Sequence, residues 1–293
     1  MIFGSQDDGA LRAGNYSAID HIKQMGGNRL RMVVSRERVA KEGYGQLDNI
    51  LNEAKAKGVD VQMVLDNREG FGKGAGDPKK YQKFVADASK HFQGRVGTYS
   101  FINEPDLKMS SQKYRQFFLA GQKALADKKA RVLFGELSPF GGLDYANTVL
   151  SQGKPGNRIQ ASGLSIHPYQ FNDPLAAPGN PKWKWGIGRG RTMQKEIKKF
   201  AATKGFRTKA GKTPGLYFSE FGYGRTGSNQ IPEDQAVKFW PRAMQAAQRA
   251  GAKEFIAYTM TGSPDSSTWD TGLLNPDGTP RPTYNALRQA RGR

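Results

Sequence analysis

Two short stretches of this chain carry a carboxylate where an apolar run should end. In "TYSFINEPD" residues 98 to 102 are followed by Asn103, Glu104 and Pro105, and in "LYFSEFGYG" Glu220 stands at the close of a second apolar run. A strand interior has no use for a carboxylate, and Pro105 lacks the N–H that a ladder needs, so Glu104 and Glu220 both mark strand exits. Two carboxyl groups facing each other across a sugar ring can hydrolyse a glycosidic bond. One, held protonated, donates to the leaving oxygen while the other, ionised, attacks the anomeric carbon. A lone Glu at a strand end is ordinarily a solvated residue or a cap, so this chemistry requires that both reach one mouth.

The elements between them have to provide that mouth. Apolar runs of strand length recur eight times, at 1–5, 29–35, 61–66, 98–103, 131–137, 162–167, 216–221 and 254–260. Between them lie segments of helical spacing such as "QLDNILNEAKAKG", "PKKYQKFVADASKHFQG" and "PEDQAVKFWPRAMQAAQRAG", several closing in the Gly expected just past a helix. Asp77-Pro78 reads as a cap followed by Pro at the first helical position. With "PTYNALRQAR" as the last helix, eight strand–helix units predict an α/β chain folded as a (β/α)8 TIM barrel, one domain over 1–293 with no linker. Glu104 then ends strand four and Glu220 strand seven. The irregular stretches 67–77, 170–190 and 261–280 follow strands three, six and eight, on the rim where such barrels build their sites.

At these residues the chain resembles the retaining glycoside hydrolases of clan A, with a tail, "TGLLNPDGTPRPTYNALR", similar to bacterial members near families 5 and 39. The resemblance implies Glu104 as acid/base and Glu220 as nucleophile, with a carboxyl separation of roughly 5 to 5.5 Å instead of the about 6.5 to 9.5 Å of inverting enzymes. It also implies that Arg31, in "GGNRLRMVVS", approaches the nucleophile, and that His167 and Tyr169, in "SIHPY", come from strand six. Each role has a physical reason and a plainer alternative. Arg31 would keep Glu220 ionised, or form an ordinary ion pair. Asn103 would bind the sugar 2-hydroxyl, or end the strand in an Asx turn. Tyr169 would hydrogen-bond the nucleophile, and His167 either joins the site or is a satisfied structural residue.

Aromatic side chains suit the apolar faces of sugar rings, so Trp183 and Trp185 after strand six, Tyr223 after the nucleophile and Trp269 after strand eight are candidate platforms or loop packing. Many relatives place a Trp at the end of strand eight, where this chain has Ala257 and Tyr258, and Trp269 is the candidate replacement. Asp66 and Asn67, together with Gln6, Asp7 and Asp8, are sugar hydrogen-bonders or turn residues. Trp240, on a helix pattern, reads as core.

The totals bound the partners. Lys plus Arg number 45 against 26 Asp plus Glu, a net charge of +19, which invites an anionic or cell-envelope glycan, or nucleic acid. The basic residues are spread over helix-like segments with no binding motif, so no nucleic acid is expected. No window approaches eighteen apolar residues, which predicts no membrane span. A soluble monomer acting on a polysaccharide or oligosaccharide is expected, secreted or at the cell envelope with its leader absent from this chain, a cytoplasmic location staying open. "GFGKGAG" (70 to 76) lacks the ending of a phosphate loop and reads as a mobile rim loop; three scattered histidines suggest no metal site, and no cofactor is expected. The expected activity is endo-acting hydrolysis of a β-linked glycan. Its alternatives are a transglycosylase on the same scaffold and a catalytically silent carbohydrate-binding or cell-surface barrel.

Overall fold

The computed structural model describes residues 1–68, 76–154, 156–226, 229–263 and 269–292, so most of the glycine-rich stretch at 70 to 76 lies outside the described residues. Eight strands, β1 (Ile2–Gln6), β2 (Arg29–Ser35), β3 (Asp60–Asp66), β4 (Thr98–Phe101), β5 (Arg131–Leu137), β6 (Gly163–Ile166), β7 (Gly215–Phe221) and β8 (Glu254–Tyr258), pair in parallel in chain order, and β8 closes on β1. This is the (β/α)8 barrel that the alternation predicts, and no strand boundary differs from its apolar run by more than two residues. Asp77 caps the helix Pro78–His91 by accepting the Lys79 N–H at 2.9 Å. Among the described residues no helix is long and apolar enough to cross a membrane.

Alternation along the strands divides the barrel into two unlike cores. On β2, Leu30, Met32 and Val34 face outward into the apolar layer under the helices, while Arg29 and Arg31 are equally buried but point inward. Phe101, Phe118, Phe134 and Tyr114 belong to the outer layer, stacked edge to face at 5.2 to 6.0 Å. The interior, by contrast, is largely polar: Ser5, Arg29, Arg31, Gln62, Thr98, Ser100, Glu136, Ser165, His167, Ser219 and Glu254 are all buried. Barrels of this kind usually fill that space with branched apolar side chains. A buried polar group is costly without a partner, and most of these groups find one, so much of the interior is a hydrogen-bonded column.

The lower end of the column is closed by Arg29, whose Nη1 donates to Asp60 at 2.8 Å and whose Nε lies 3.0 Å from Glu254. Burial pushes the Glu254 carboxyl up to about 7, with Arg29 pulling against it. Between its ordinary value of 4.5 and 7 the folded chain therefore holds a proton that the unfolded chain has lost. Folding stability falls as pH rises through that window, by about 3 kcal/mol at most from this group. Urea unfolding from pH 4.5 to 7 should show a decline that Glu254→Gln flattens; an equal decline in the variant would contradict the assignment.

Candidate active site

Adjacent strands place Arg31 at the centre of the upper barrel, since its β2 position is in register with Gln6 on β1 and Gln62 on β3. Its guanidinium is fully buried. Nη1 donates to Glu220 at 2.6 Å and also to Gln6, and Nη2 donates to Glu136 at 2.6 Å and to Asn103 at 2.7 Å. Burial works against its charge, but Glu136 and Glu220 more than restore it, and its pKa is raised.

Glu220, on β7, is the other half of that ion pair. Its Oε2 accepts from the Tyr169 hydroxyl at 2.9 Å and lies 3.4 Å from His167 Nδ1. Burial pushes its carboxyl above the ordinary value, while His167, Arg31 and the Tyr169 hydroxyl oppose the rise and Glu104 adds to it. Tyr169 is itself pushed far up by burial and by Glu220, so it remains a donor.

Glu104 reaches the same point by strained backbone. Both Ile102 (φ 65°) and Glu104 (φ 44°) lie in the left-handed region, where a β-branched residue is rarely found, and Pro105 then starts a short helix. Such conformations cost about 1–3 kcal/mol each and persist only where surrounding contacts impose them. The Glu104 N–H donates to the Glu136 carbonyl at 2.9 Å, and Glu104 Oε1 lies 3.0 Å from His167 Nδ1. One carboxylate oxygen of Glu104, one of Glu220 and a ring nitrogen of His167 lie within 4.8 Å of one another. That trio has metal-ligand spacing that the scattered histidines of the sequence do not suggest. Arg31, bonded to Glu220, already supplies a cation there.

Glu136 is the residue that sequence reasoning missed. A bulge in β5, with Gly135 at φ 121° and Glu136 at φ 54°, shifts the register between Gly135 and Leu137 and turns the carboxylate into the barrel. Gly135 is required: a Cβ there would stand 2.4 Å from the Ser165 carbonyl oxygen. Glu136 accepts from Arg31, from Ser100 at 2.7 Å, Ser219 at 2.9 Å and Gln62 at 3.2 Å, and lies 3.1 Å from His167 Nε2. Against burial, Arg31 and His167 hold its carboxyl well below the ordinary range. Burial lowers the basicity of His167, but Glu220, Glu104 and Glu136 outweigh it and raise its pKa to about 9. It is an imidazolium at neutral pH, bridging Glu104 and Glu136. The signal was visible as a Glu beside a Gly in the apolar run "RVLFGEL".

Above these groups opens a hollow of about 300 Å³ lined by Glu104, Glu220, Asn103, Tyr169, Tyr258 and Trp269, with Asp66 and Lys108, 2.9 Å apart, on its rim. Asp66 also accepts from the Asn103 N–H. Trp269, 41 % exposed, stands edge to face with Tyr169 at 5.0 Å and tilted against Tyr258 at 6.3 Å, at the mouth where the strand-eight Trp is missing. The hollow continues into another of about 610 Å³ over β1 and β8, sharing Gln6, Asp8, Tyr258 and Trp269. Asp7, by contrast, is occupied as a turn residue, accepting from the Ala10 and Thr261 N–H groups.

The remaining sequence candidates lie elsewhere. Trp185 is buried under the rim, its backbone N–H donating to the Pro139 carbonyl at 2.8 Å. Tyr223 is buried against Phe221, Phe239 and Trp240, the last of these in the core as expected. Neither lines the hollow, because each ring turns toward the apolar layer where its area is buried. Asn67 accepts from Arg36 Nε at 2.9 Å and also stays outside it. Trp183 lines a separate hollow, between the loops after β6 and β7.

No protein-family model and no curated protein matches the chain. Solved structures do share its (β/α)8 fold, and several of them are glycoside hydrolases. A family 39 glycoside hydrolase from Bacteroides cellulosilyticus superposes at a TM-score of 0.76 with 19% identity, over 99% of this chain and 63% of its own. A glucosidase from Croceicoccus marinus gives 0.76 with 16% identity, over 99% and 66%, and an endoglucanase from Thermotoga maritima 0.65 with 18%, over 98% and 96%. The chain thus spans about two thirds of the first two. At these identities the likeness is one of fold.

Removing one member of a buried ion pair strands the other. Glu136→Ala should lower the unfolding free energy by about 3–5 kcal/mol in denaturant titration at pH 7. A loss below 1 kcal/mol would mean that Arg31 does not depend on it.

Proposed function

We propose that the protein is a retaining, endo-acting glycoside hydrolase that cleaves a β-linked, neutral polysaccharide or oligosaccharide. The observation that carries this reading is the pair of strand-end carboxylates, Glu104 and Glu220, with oxygens within 4.8 Å across one hollow. Such closeness favours attack by one carboxylate over the wider spacing that admits a water between them.

Glu220 is the nucleophile. Arg31 and the Tyr169 hydroxyl stabilise its ionised form and leave its carboxylate aimed by two hydrogen bonds. Glu104 is the acid/base: with Oε1 engaged by His167, Oε2 carries the proton to the glycosidic oxygen as the bond breaks and the bond to Glu220 forms. Glu104, left as a carboxylate by that transfer, then takes a proton from water as the water attacks the anomeric carbon and the sugar–Glu220 bond breaks. Asn103, held by its bonds to Arg31 and Asp66, is the group that binds the sugar 2-hydroxyl in this reading.

The lining argues for a neutral substrate despite the overall charge. Asp8, Asp66, Glu104 and Glu220 face the hollow against Arg12 and Lys108, so the +19 charge resides outside the cleft. The continuation over β1 and β8 supports a chain-like substrate and cleavage within it.

On a panel of neutral and acidic β-glucans, mannans, xylans and galactans, Glu104→Ala and Glu220→Ala should each lose about a thousandfold in kcat. Azide distinguishes their roles. In Glu220→Ala it attacks the anomeric carbon directly and gives a glycosyl azide of inverted configuration; in Glu104→Ala it intercepts the intermediate and gives the retained one. Full activity in both variants, or the opposite pairing of products, would overturn the assignment.

Because burial raises Glu220, its ionised fraction falls already above the ordinary 4.5. The acid limb of kcat/KM should therefore have a midpoint above pH 4.5, and Tyr169→Phe, which removes a donor to the ionised form, should move it further up. A limb that shifts down, or not at all, would place Tyr169 outside the nucleophile's environment.

A further inference from the structure

We propose that the rim between β6 and β7 holds a second glycan-binding site, taking one unit of the same neutral chain whose cleavage is proposed above. The inference rests on that reading for the ligand's class, but its observations are separate. A hollow of about 310 Å³ lies between the loop after β6 and the loop after β7, outside the reaction hollow. Its ten lining residues include no Lys, Arg, Asp or Glu, in a chain where 24% of residues are charged. Most are instead amides and aromatics, among them Phe171, Asn180, Trp183, Asn229 and Gln230. A neutral polyhydroxyl ring needs that chemistry: amide donors and acceptors for its hydroxyls, and flat apolar surface for its C–H faces.

The amides there are not all consumed by the fold. Asn172 ties its own loop through the Ala177 carbonyl and the Gly179 N–H, whereas the side chains of Asn229 and Gln230 make no hydrogen bond among the described residues. The aromatics form a row leading to the reaction hollow. Phe140, 39 % exposed, lies 4.7 Å from Trp183, Trp183 lies 4.7 Å from Phe171, and Phe171 lies 6.2 Å from Trp269, which lines the mouth above Glu220. A chain seated at the mouth on Trp269 would meet Phe171 and Trp183 as it extends over the rim.

The alternative, that these rings only pack the loop, is separated by ligand length. Calorimetric binding of cellohexaose, xylohexaose, mannohexaose and galactohexaose, each beside its disaccharide, would be measured on full-length Glu220→Gln to prevent turnover. The hexaose that binds should do so about tenfold more tightly than its disaccharide. Adding Trp183→Ala or Gln230→Ala should remove that gain, and Trp183→Phe should restore most of it. Unfolding temperatures of the variants identify any loss that is merely structural, and Gln230, being exposed, tests the site without touching the packed rings.

Equal binding of the hexaose by the parent and by both Trp183→Ala and Gln230→Ala would overturn the rim site, as would the absence of any gain with length. Wild-type product release, run in parallel, keeps the two proposals apart. Turnover without dependence on Trp183 and Gln230 sinks the rim site alone. Length-dependent binding lost in Trp183→Ala, with no turnover, sinks the catalytic reading and supports the rim site.

Discussion

A guanidinium sealed inside the barrel sets the terms for everything around it. Arg31 has no exposed surface, and a buried cation without partners would not survive folding. Its two terminal nitrogens are therefore bound to carboxylates on β5 and β7, to Asn103 beyond β4 and to Gln6 on β1, so one side chain ties four strands at their upper ends. Satisfying that charge requires Glu136 to turn inward and Glu220 to stand at a fixed place. It also brings the third carboxylate, Glu104, under the influence of His167, which bridges it to Glu136.

The strain in the backbone follows the same geometry. Among the described residues, the non-glycine residues with positive φ are Ile102, Glu104 and Glu136, all at the ends of β4 and β5 where the network closes. Conformations that unfavourable need tight packing and paired charges to hold them, and the polar column supplies both. Placement is thereby separated from charge: the interior network is arranged around two cations and three carboxylates, while the +19 excess belongs to the surface. A chain of this composition can thus present a cleft that is not basic.

How much of this is legible from residues alone depends on whether a feature is local. The strands are local: apolar runs such as "RLRMVVS" and "LYFSEF" bury an outer face, and their boundaries emerge nearly as read. Glu104 and Glu220 are legible because they interrupt such runs. Glu136 interrupts one too, yet its inward turn depends on a bulge and a left-handed conformation that no local rule demands. Trp185 and Tyr223 show the opposite difficulty. Their type suits a sugar platform, but a ring on a rim loop can face the cleft or the apolar layer, and packing against Phe221 and Trp240 decides the matter for Tyr223. Trp269 reaches the mouth because the Gly224 backbone leaves room, a Cβ there standing 2.2 Å from its indole nitrogen. That allowance involves residues 45 positions apart and has no signature in either segment.

The central claim is that Glu220 forms a bond to sugar. Once the panel has named the substrate, the matching 2-deoxy-2-fluoro glycosyl fluoride would be incubated with the protein, and intact and peptide masses recorded. The account predicts one added fluoroglycosyl group, mapping to the peptide that contains Glu220 and absent from Glu220→Gln. A protein that turns over the natural substrate yet carries no label, or carries it on Glu104, would contradict the account.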